Sequence, residues 1–128
     1  MDPEDVIRRY FEIVHSNVHA VTELYTADAI LHYVGRHALG GDHRGRDEIR
    51  ALFARSREAF RATQRLDLHD VVANGRHAVA LLQASAERDG GRIHWRRVVV
   101  FHLEGELIRE QWIHDSDQHL IEEILAAP

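Results

Sequence analysis

The hydrophobic pattern of the chain changes its period once, near residue 64, and this change limits the fold more than any other feature. Beyond it, apolar residues recur at every second position, which is typical of strands. Three turn signals, Asn74-Gly75, Asp89-Gly90-Gly91 and Glu104-Gly105, divide this half of the chain. We predict strands over 64–73, 77–88, 92–103 and 106–115, joined by these turns as a meander.

The first half of the chain has helical spacing. Pro3 stands where the first turn of a helix tolerates proline, and Val6, Tyr10 and Val14 follow on one face. We predict helices over 3–15, 18–26 and 47–61, a strand over 29–34, a loop over 35–45, and a helix or extended tail over 118–126. Helices followed by a long antiparallel meander indicate an α+β domain, in which the helices cover one face of a strongly curved sheet.

Composition excludes several classes of function. A chain of 128 residues suits one domain filling 1–128, and the absence of cysteine excludes disulfides and thiolate nucleophiles. The acidic, amphipathic N-terminus and the lack of an apolar run of roughly 18 residues argue against export or membrane insertion. A net charge of -5, with arginines scattered among acids, gives no reason to bind nucleic acid. The sequence therefore predicts a cytoplasmic protein without membrane or nucleic-acid partners.

The chain contains eleven histidines, and histidine is the commonest metal ligand. His32, His37 and His43 crowd the first predicted loop, but their spacings of five and six do not place them on one helical face. The chain also lacks a phosphate loop and a dinucleotide-binding glycine signature. We therefore expect neither a metal site nor a cofactor.

Three segments carry a resemblance to a known family: LYTADAILHYVG, GGDHRGRDEIRALFA and VVVFHLEGELIREQW, followed by DQHL. In this order they resemble SnoaL-like proteins, relatives of ketosteroid isomerase and limonene epoxide hydrolase in the nuclear transport factor 2 (NTF2) superfamily. The resemblance implies a cone-shaped NTF2-like fold, with three N-terminal helices on a strongly curved, mainly antiparallel sheet around an apolar pocket. It also implies a homodimer formed through the outer sheet face, and a small hydrophobic substrate of polyketide or terpenoid type.

The match to ketosteroid isomerase is incomplete. Tyr10 corresponds to the tyrosine that donates to the substrate oxyanion. The base position falls on His32 or Tyr33, depending on the placement of a one-residue gap. The second oxyanion donor, an aspartate in the isomerase, corresponds to Val99.

The match to limonene epoxide hydrolase is also partial. Its arginine and tryptophan correspond to Arg97 and Trp112. Its two aspartates correspond to Val99 and His114. Neither carboxylate of that active site is therefore present at the matching position.

Alternation along the strands predicts which side chains share the pocket. Together with the resemblance it places two sets inward: Trp95, Arg97, Val99 and Phe101 on one strand, and Glu110, Trp112 and His114 on the next. With Tyr33, the second alternative for the base position, these residues would bind a substrate against aromatic walls. The alternative is that Arg97 and Glu110 form a structural ion pair among ordinary core aromatics.

These residues lead to a catalytic hypothesis. His32 would be the general base, because neutral imidazole accepts a proton near pH 7. Tyr10 and Arg97 would hold the oxygen on which charge develops. His114 would relay the proton, oriented by Asp117 or Asp115, unless Asp117 instead caps a helix.

The corresponding function is a cofactor-independent isomerase, cyclase, dehydratase or epoxide hydrolase. The alternative is a non-catalytic small-molecule-binding or dimerisation domain. Replacing His32 with glutamine would abolish turnover under the first hypothesis. Substrate identity is not determined by these residues, since one fold serves many chemistries.

Overall fold

A computed structural model describes residues 1–126 of the chain. The helices are α1 (Pro3–Ile13), α2 (Val18–Thr22), α3 (Gly45–Ala59) and α4 (Gln118–Ile124). The strands are β1 (Tyr25–Tyr33), β2 (Gly41–Arg44), β3 (Arg65–Ala73), β4 (His77–Arg88), β5 (Gly91–Glu104) and β6 (Leu107–Asp115). The α+β class is confirmed, with three N-terminal helices before the four-stranded meander.

All six strands form one sheet in the order β2-β1-β6-β5-β4-β3. The meander from β3 to β6 is antiparallel, whereas β1 joins β6 in parallel, with Tyr33 beside Ile113. Irregular register within β1, β3 and the β5–β6 pair increases bending and twist. The result is the curved, mainly antiparallel sheet of the NTF2-like fold.

α1 and α3 pack on the inner face of this sheet, and α2 packs against both of them. Asp2 caps α1 by accepting a hydrogen bond from the Asp5 backbone N–H at 2.9 Å. The helix then buries Val6, Ile7 and Tyr10 in the core. Burying each such apolar side chain contributes about 1.5–3 kcal/mol. No helix of the described residues is long and apolar enough to cross a membrane.

The predicted loop over 35–45 was wrong at its end, where β2 pairs antiparallel with β1. The sequence Gly-Asp-His-Arg of β2 lacks apolar alternation because this edge strand is largely exposed. The second helix ends earlier than predicted, since β1 already begins at Tyr25. Because the register is irregular between Tyr25 and Ile30, apolar and polar residues do not alternate regularly in this part of β1.

Candidate functional site

A cavity of about 80 Å³ lies between α1, α3 and the inner face of the sheet, and it opens to solvent on one side. Its apolar lining is Val14, Val18, Leu52, Phe53, Ala62, Leu66 and Ile113. Its polar lining is Tyr10, His15, Tyr33, Ser56, Arg57, Gln64 and Arg97. Among residues 1–126, no aspartate or glutamate lines this cavity.

A buried ion pair between Arg97 and Asp115 forms one wall. Arg97 Nε donates to Asp115 Oδ1 at 2.7 Å, and the two side chains are 6% and 0% exposed. Asp115 also accepts hydrogen bonds from Trp95 Nε1 at 2.7 Å and from the Tyr33 hydroxyl at 2.8 Å. The Tyr33 hydroxyl in turn accepts one from Arg97 Nη2 at 2.9 Å. Both oxygens of the Asp115 carboxylate thus accept hydrogen bonds from the protein, and Asp115 does not line the cavity.

The charges in this network are fixed. Burial raises the pKa of the Asp115 carboxyl, but the charge and hydrogen bonds of Arg97 outweigh it, so the net pKa is lowered. Burial raises the pKa of Tyr33 well above its ordinary value. Arg97 Nη1 donates no hydrogen bond within the described residues, and Arg97 lines the cavity. This nitrogen is therefore available to an oxygen of a bound molecule.

A second network supports the Tyr10 hydroxyl. Tyr25 donates its only hydroxyl proton to Gln111 Oε1, and Gln111 Nε2 donates to the Tyr10 oxygen at 3.2 Å. The hydroxyl oxygens of Tyr10 and Tyr25 lie 3.3 Å apart. Burial raises the pKa of Tyr10, although Gln111, Tyr25 and Arg97 partly offset this effect. Tyr10 is therefore a neutral donor whose proton can turn toward the cavity.

Two exposed side chains, His15 and Arg57, mark the solvent side of the cavity. His15 is exposed at the rim of the cavity, where partial burial, together with the charges of Arg97 and Arg57, lowers the pKa of its imidazole. This imidazole is consequently neutral at pH 7 and able to accept a proton. Arg57 Nη1 donates to the backbone oxygen of His15 at 3.4 Å. Gln64 Nε2 is buried and has no hydrogen-bond partner among the described residues.

The sequence matches the SnoaL-like domain family over residues 7–111. The chain belongs to this family. No curated protein matches it significantly.

Solved structures give the same assignment of fold for this SnoaL-like domain. Bal32a from a soil-derived mobile gene cassette is 26% identical, with a TM-score of 0.86 over 94% of each chain. An NTF2-like protein of unknown function from Burkholderia pseudomallei K96243 is 21% identical, with a TM-score of 0.82 over 96% of each chain. A protein from Catenulispora acidiphila DSM 44928 with a ketosteroid isomerase-like fold is 18% identical, with a TM-score of 0.72 over 89% of this chain and 86% of that one.

The predicted inward face of β5 is confirmed in the SnoaL-like domain. Trp95, Arg97, Val99 and Phe101 are all buried. Of these four, however, only Arg97 lines the cavity. Trp95 stacks on Phe60 with ring centroids 5.8 Å apart, and Phe101 packs edge-on against Tyr10 at 5.4 Å. Three of the predicted substrate-binding residues are therefore core.

The predicted inward face of β6 was wrong. Gln111, Ile113 and Asp115 face inward, so Glu110, Trp112 and His114 lie on the outer face of the sheet. Next to the turn between β5 and β6, Glu104 pairs with Leu107 and Leu103 pairs with Ile108. If this register continued along the two strands, His114 would lie opposite Arg97. A bulge follows, and His102 pairs with Glu110. The one-residue shift exchanges the two faces of the strand.

This shift also corrects the predicted partners of Arg97 and His114. Arg97 pairs with Asp115, not with Glu110. Asp117 accepts a hydrogen bond from the Leu120 backbone N–H at 3.0 Å and caps α4, so it does not orient His114. Asp115, the alternative orienting residue, is held by Arg97.

His32 lies on the outer face, so the expectation that it reaches the cavity was wrong. Its parallel partner on β6 is Trp112, on which its ring stacks at 5.1 Å, whereas Tyr33 pairs with Ile113 and lines the cavity. Nδ1 of His32 lies 2.6 Å from Asp42 Oδ1, and Nε2 lies 2.6 Å from Glu110 Oε2. Of the two alternatives at this end of β1, Tyr33 is the one inside.

The two carboxylate contacts define the charge of His32. A neutral imidazole has one donor and one acceptor nitrogen, so it cannot donate to both carboxylates. Burial alone lowers the pKa of His32, but the hydrogen bonds and charges of Glu110 and Asp42 outweigh it and raise the net pKa. Arg44 approaches Asp42 at 3.6 Å from the same strand. The imidazolium therefore joins β2 to β6 across β1.

We expect the His32 contacts to stabilise the SnoaL-like domain most at low pH. The pKa of His32 is raised on folding, so its contribution is complete below the ordinary value of 6.5 and is lost as the pH rises through the raised value. The melting temperature of His32→Gln should lie about 2–6 °C below wild type near pH 6, with a smaller gap near pH 9.

Thermal unfolding across this pH range measures the effect. His114→Gln is the matched control, because His114 is exposed on the same outer face and forms no ion pair within the described residues. A difference between His32→Gln and wild type that is constant with pH would contradict the charged state.

Sequence reasoning missed several residues of the site, among them Gln111, Tyr25 and His15. Gln111 would lie on the outer face of β6 if the register at the turn continued without the bulge. Tyr25 was assigned to the end of the second helix, and His15 to the last position of the first predicted helix, 3–15. The sequence signal for Gln111 is its spacing of two from Ile113 and four from Asp115.

Proposed function

We propose that this SnoaL-like domain is a cofactor-independent enzyme that moves a proton on a small carbonyl compound. The observation that carries the proposal is a pair of donors at one cavity, the Tyr10 hydroxyl and Arg97 Nη1, for which residues 1–126 offer no acceptor. Preorganised donors aimed at an oxygen stabilise the negative charge that develops there. Apolar side chains around them strengthen this interaction by lowering the local dielectric constant.

His15 is the proton acceptor in this proposal. It lines the same cavity, its pKa is lowered, and no carboxylate of the described residues competes for the role. The imidazole removes a proton from the carbon next to the carbonyl, and the electron pair moves onto the carbonyl oxygen. Tyr10 and Arg97 hold the resulting enolate. With a β,γ-unsaturated ketone the enolate is conjugated, and return of the proton to its γ carbon completes an isomerisation. Attack of the enolate carbon on a second carbonyl of the same molecule gives a cyclisation.

Dehydration can start from the same enolate, which forms a carbon–carbon double bond as the hydroxyl of the β carbon leaves. The proton that His15 has taken up goes to this hydroxyl, which departs as water. The lining of the cavity does not suit epoxide opening assisted by carboxylates. Limonene epoxide hydrolase, which the sequence resembles, uses two aspartates, and no carboxylate lines the cavity within residues 1–126.

Hydrogen–deuterium exchange in D₂O tests the proton transfer directly. We expect wild type to accelerate exchange beside the carbonyl of at least one of pentan-2-one, cyclopentanone and 4-oxopentanoate, followed by ¹H NMR. His15→Gln should reduce the enzyme-dependent rate by about 10²–10⁴-fold, since it removes the general base.

His19→Gln is the matched control, because His19 is exposed like His15 but does not line the cavity. Its exchange rate should equal that of wild type. Absence of exchange with all three ketones, or equal rates for His15→Gln and His19→Gln, would refute the assignment of the base.

A second candidate function is non-catalytic binding. Asp115 neutralises Arg97 inside the protein, which reduces the stabilisation available to an enolate. A domain that binds these ketones without exchanging their protons would have this function. The homodimer implied by the family resemblance stays a prediction.

A further inference from the structure

The cavity differs in charge from the chain as a whole. The chain carries 21 acidic and 16 basic residues, yet Arg57 and Arg97 line the cavity and no acidic residue does so within the described residues. Asp115, which does not line the cavity, neutralises the charge of Arg97. The hydrogen bond from Arg57 goes to the backbone oxygen of His15, and Arg57 forms no ion pair with a described carboxylate. One positive charge at the cavity is therefore uncompensated.

An unpartnered amide lies at the same cavity. Gln64 Nε2 is buried from solvent and has no acceptor among the described residues. A buried donor without a partner is destabilising, and an acceptor oxygen bound in the cavity would remove that cost once the Gln64 amide turns toward it. The chain reaches Gln64 through Arg61 and Ala62, whose φ angles of 52° and 59° are left-handed. Non-glycine residues adopt this conformation only at an energetic cost, and such strain concentrates at functional sites.

The lowered pKa of His15 indicates a positive electrostatic potential at the cavity. The charges of Arg97 and Arg57 add to burial in lowering the pKa of His15. A bound anion would offset part of that potential and make the imidazole a stronger base. Binding and proton abstraction would then support each other.

We infer that the substrate is a small oxo acid, whose carboxylate binds Arg57 and Gln64 while its carbonyl oxygen binds Tyr10 and Arg97. This inference rests on the proposed function for the carbonyl end and adds a negative charge at the other end. The cavity volume of about 80 Å³ restricts the enclosed part to a few heavy atoms. The carboxylate would occupy the side open to solvent.

Two probes of equal size show how much the negative charge of the substrate contributes to binding. 4-Oxopentanoate and hexane-2,5-dione have the same number of heavy atoms, and a methyl group in the dione replaces one carboxylate oxygen. Isothermal titration calorimetry of the full chain should give about tenfold tighter binding for 4-oxopentanoate, with affinity falling as salt is added. Arg57→Gln should remove most of this preference, because it weakens the binding of 4-oxopentanoate much more than that of the neutral dione.

Arg55→Gln is the matched control, because Arg55 lies on the same helix, is exposed and does not line the cavity. It should keep the preference for 4-oxopentanoate. Equal affinity for the two probes, or equal losses in Arg57→Gln and Arg55→Gln, would overturn the inference but leave the proposed carbonyl site intact. Failure of both probes to bind would overturn the inference together with the proposed function.

Discussion

Replacing Asp115 with alanine is expected to lower the free energy of unfolding by about 3–5 kcal/mol, because Arg97 would become a buried charge without its partner. Trp95 and Tyr33 would also lose the acceptor of their hydrogen bonds. Chemical denaturation at neutral pH, compared with wild type under the same conditions, measures this difference. The predicted loss is a large fraction of the stability of an ordinary domain.

Two further variants make this prediction specific. Asp117→Ala removes only the cap of α4 and should cost about 1 kcal/mol. Asp115→Asn keeps the shape of the side chain but removes its charge, so its loss should lie between the other two. Equal losses for Asp115→Ala and Asp117→Ala would mean that the ion pair contributes little beyond an ordinary polar contact.

Replacing Tyr10 with phenylalanine is expected to reduce enzyme-dependent exchange by about 10²–10³-fold, the usual effect of removing one donor to a developing oxyanion. The ring stays apolar and of similar shape, so its packing against Phe101 should persist. Exchange rates as a function of the concentration of the most reactive ketone of the panel give kcat and KM for the variant. The reduction should appear in kcat, because the interaction strengthens as charge develops.

Tyr25→Phe separates this effect from damage to the hydrogen-bond network. Both tyrosines contact Gln111, so either substitution leaves part of that amide without a partner and should cost about 1–3 kcal/mol of stability. Tyr25 does not line the cavity, and its variant should retain most of the exchange activity. A similar drop in kcat for both variants would show that Tyr10 acts only through the network.

Much of the fold could be predicted because it depends on local pattern. The meander follows from apolar alternation and three turn signals, and its four strands fall within one residue of their predicted bounds at each end. The opening helix follows from the position of Pro3 and the spacing of Val6 and Tyr10. The edge strand β2 could not be predicted in this way, because its pairing with β1 carries no pattern of its own.

The candidate site was predicted only in part. Tyr10, Tyr33 and Arg97 line the cavity, as expected from the resemblance and from the inward face of β5. The expected base His32 and the expected carboxylate Glu110 instead contact one another on the outer face. His15 entered the site because the turn after α1 brings it to the cavity, a position that the helical spacing of α1 does not specify.

The sequence by itself determined the class of fold, the family and the inward face of β5, since each depends on residues close together in the chain. The tertiary structure decided which face of β6 meets the cavity, because a bulge after the turn shifts the pairing by one residue. That shift placed Asp115 opposite Arg97 and moved His114 outward. Parallel pairing with β6 then directed His32 outward and Tyr33 inward. Side chains alternate between faces along a strand, so a single unpaired residue exchanged the residues of the site with those of the outer surface.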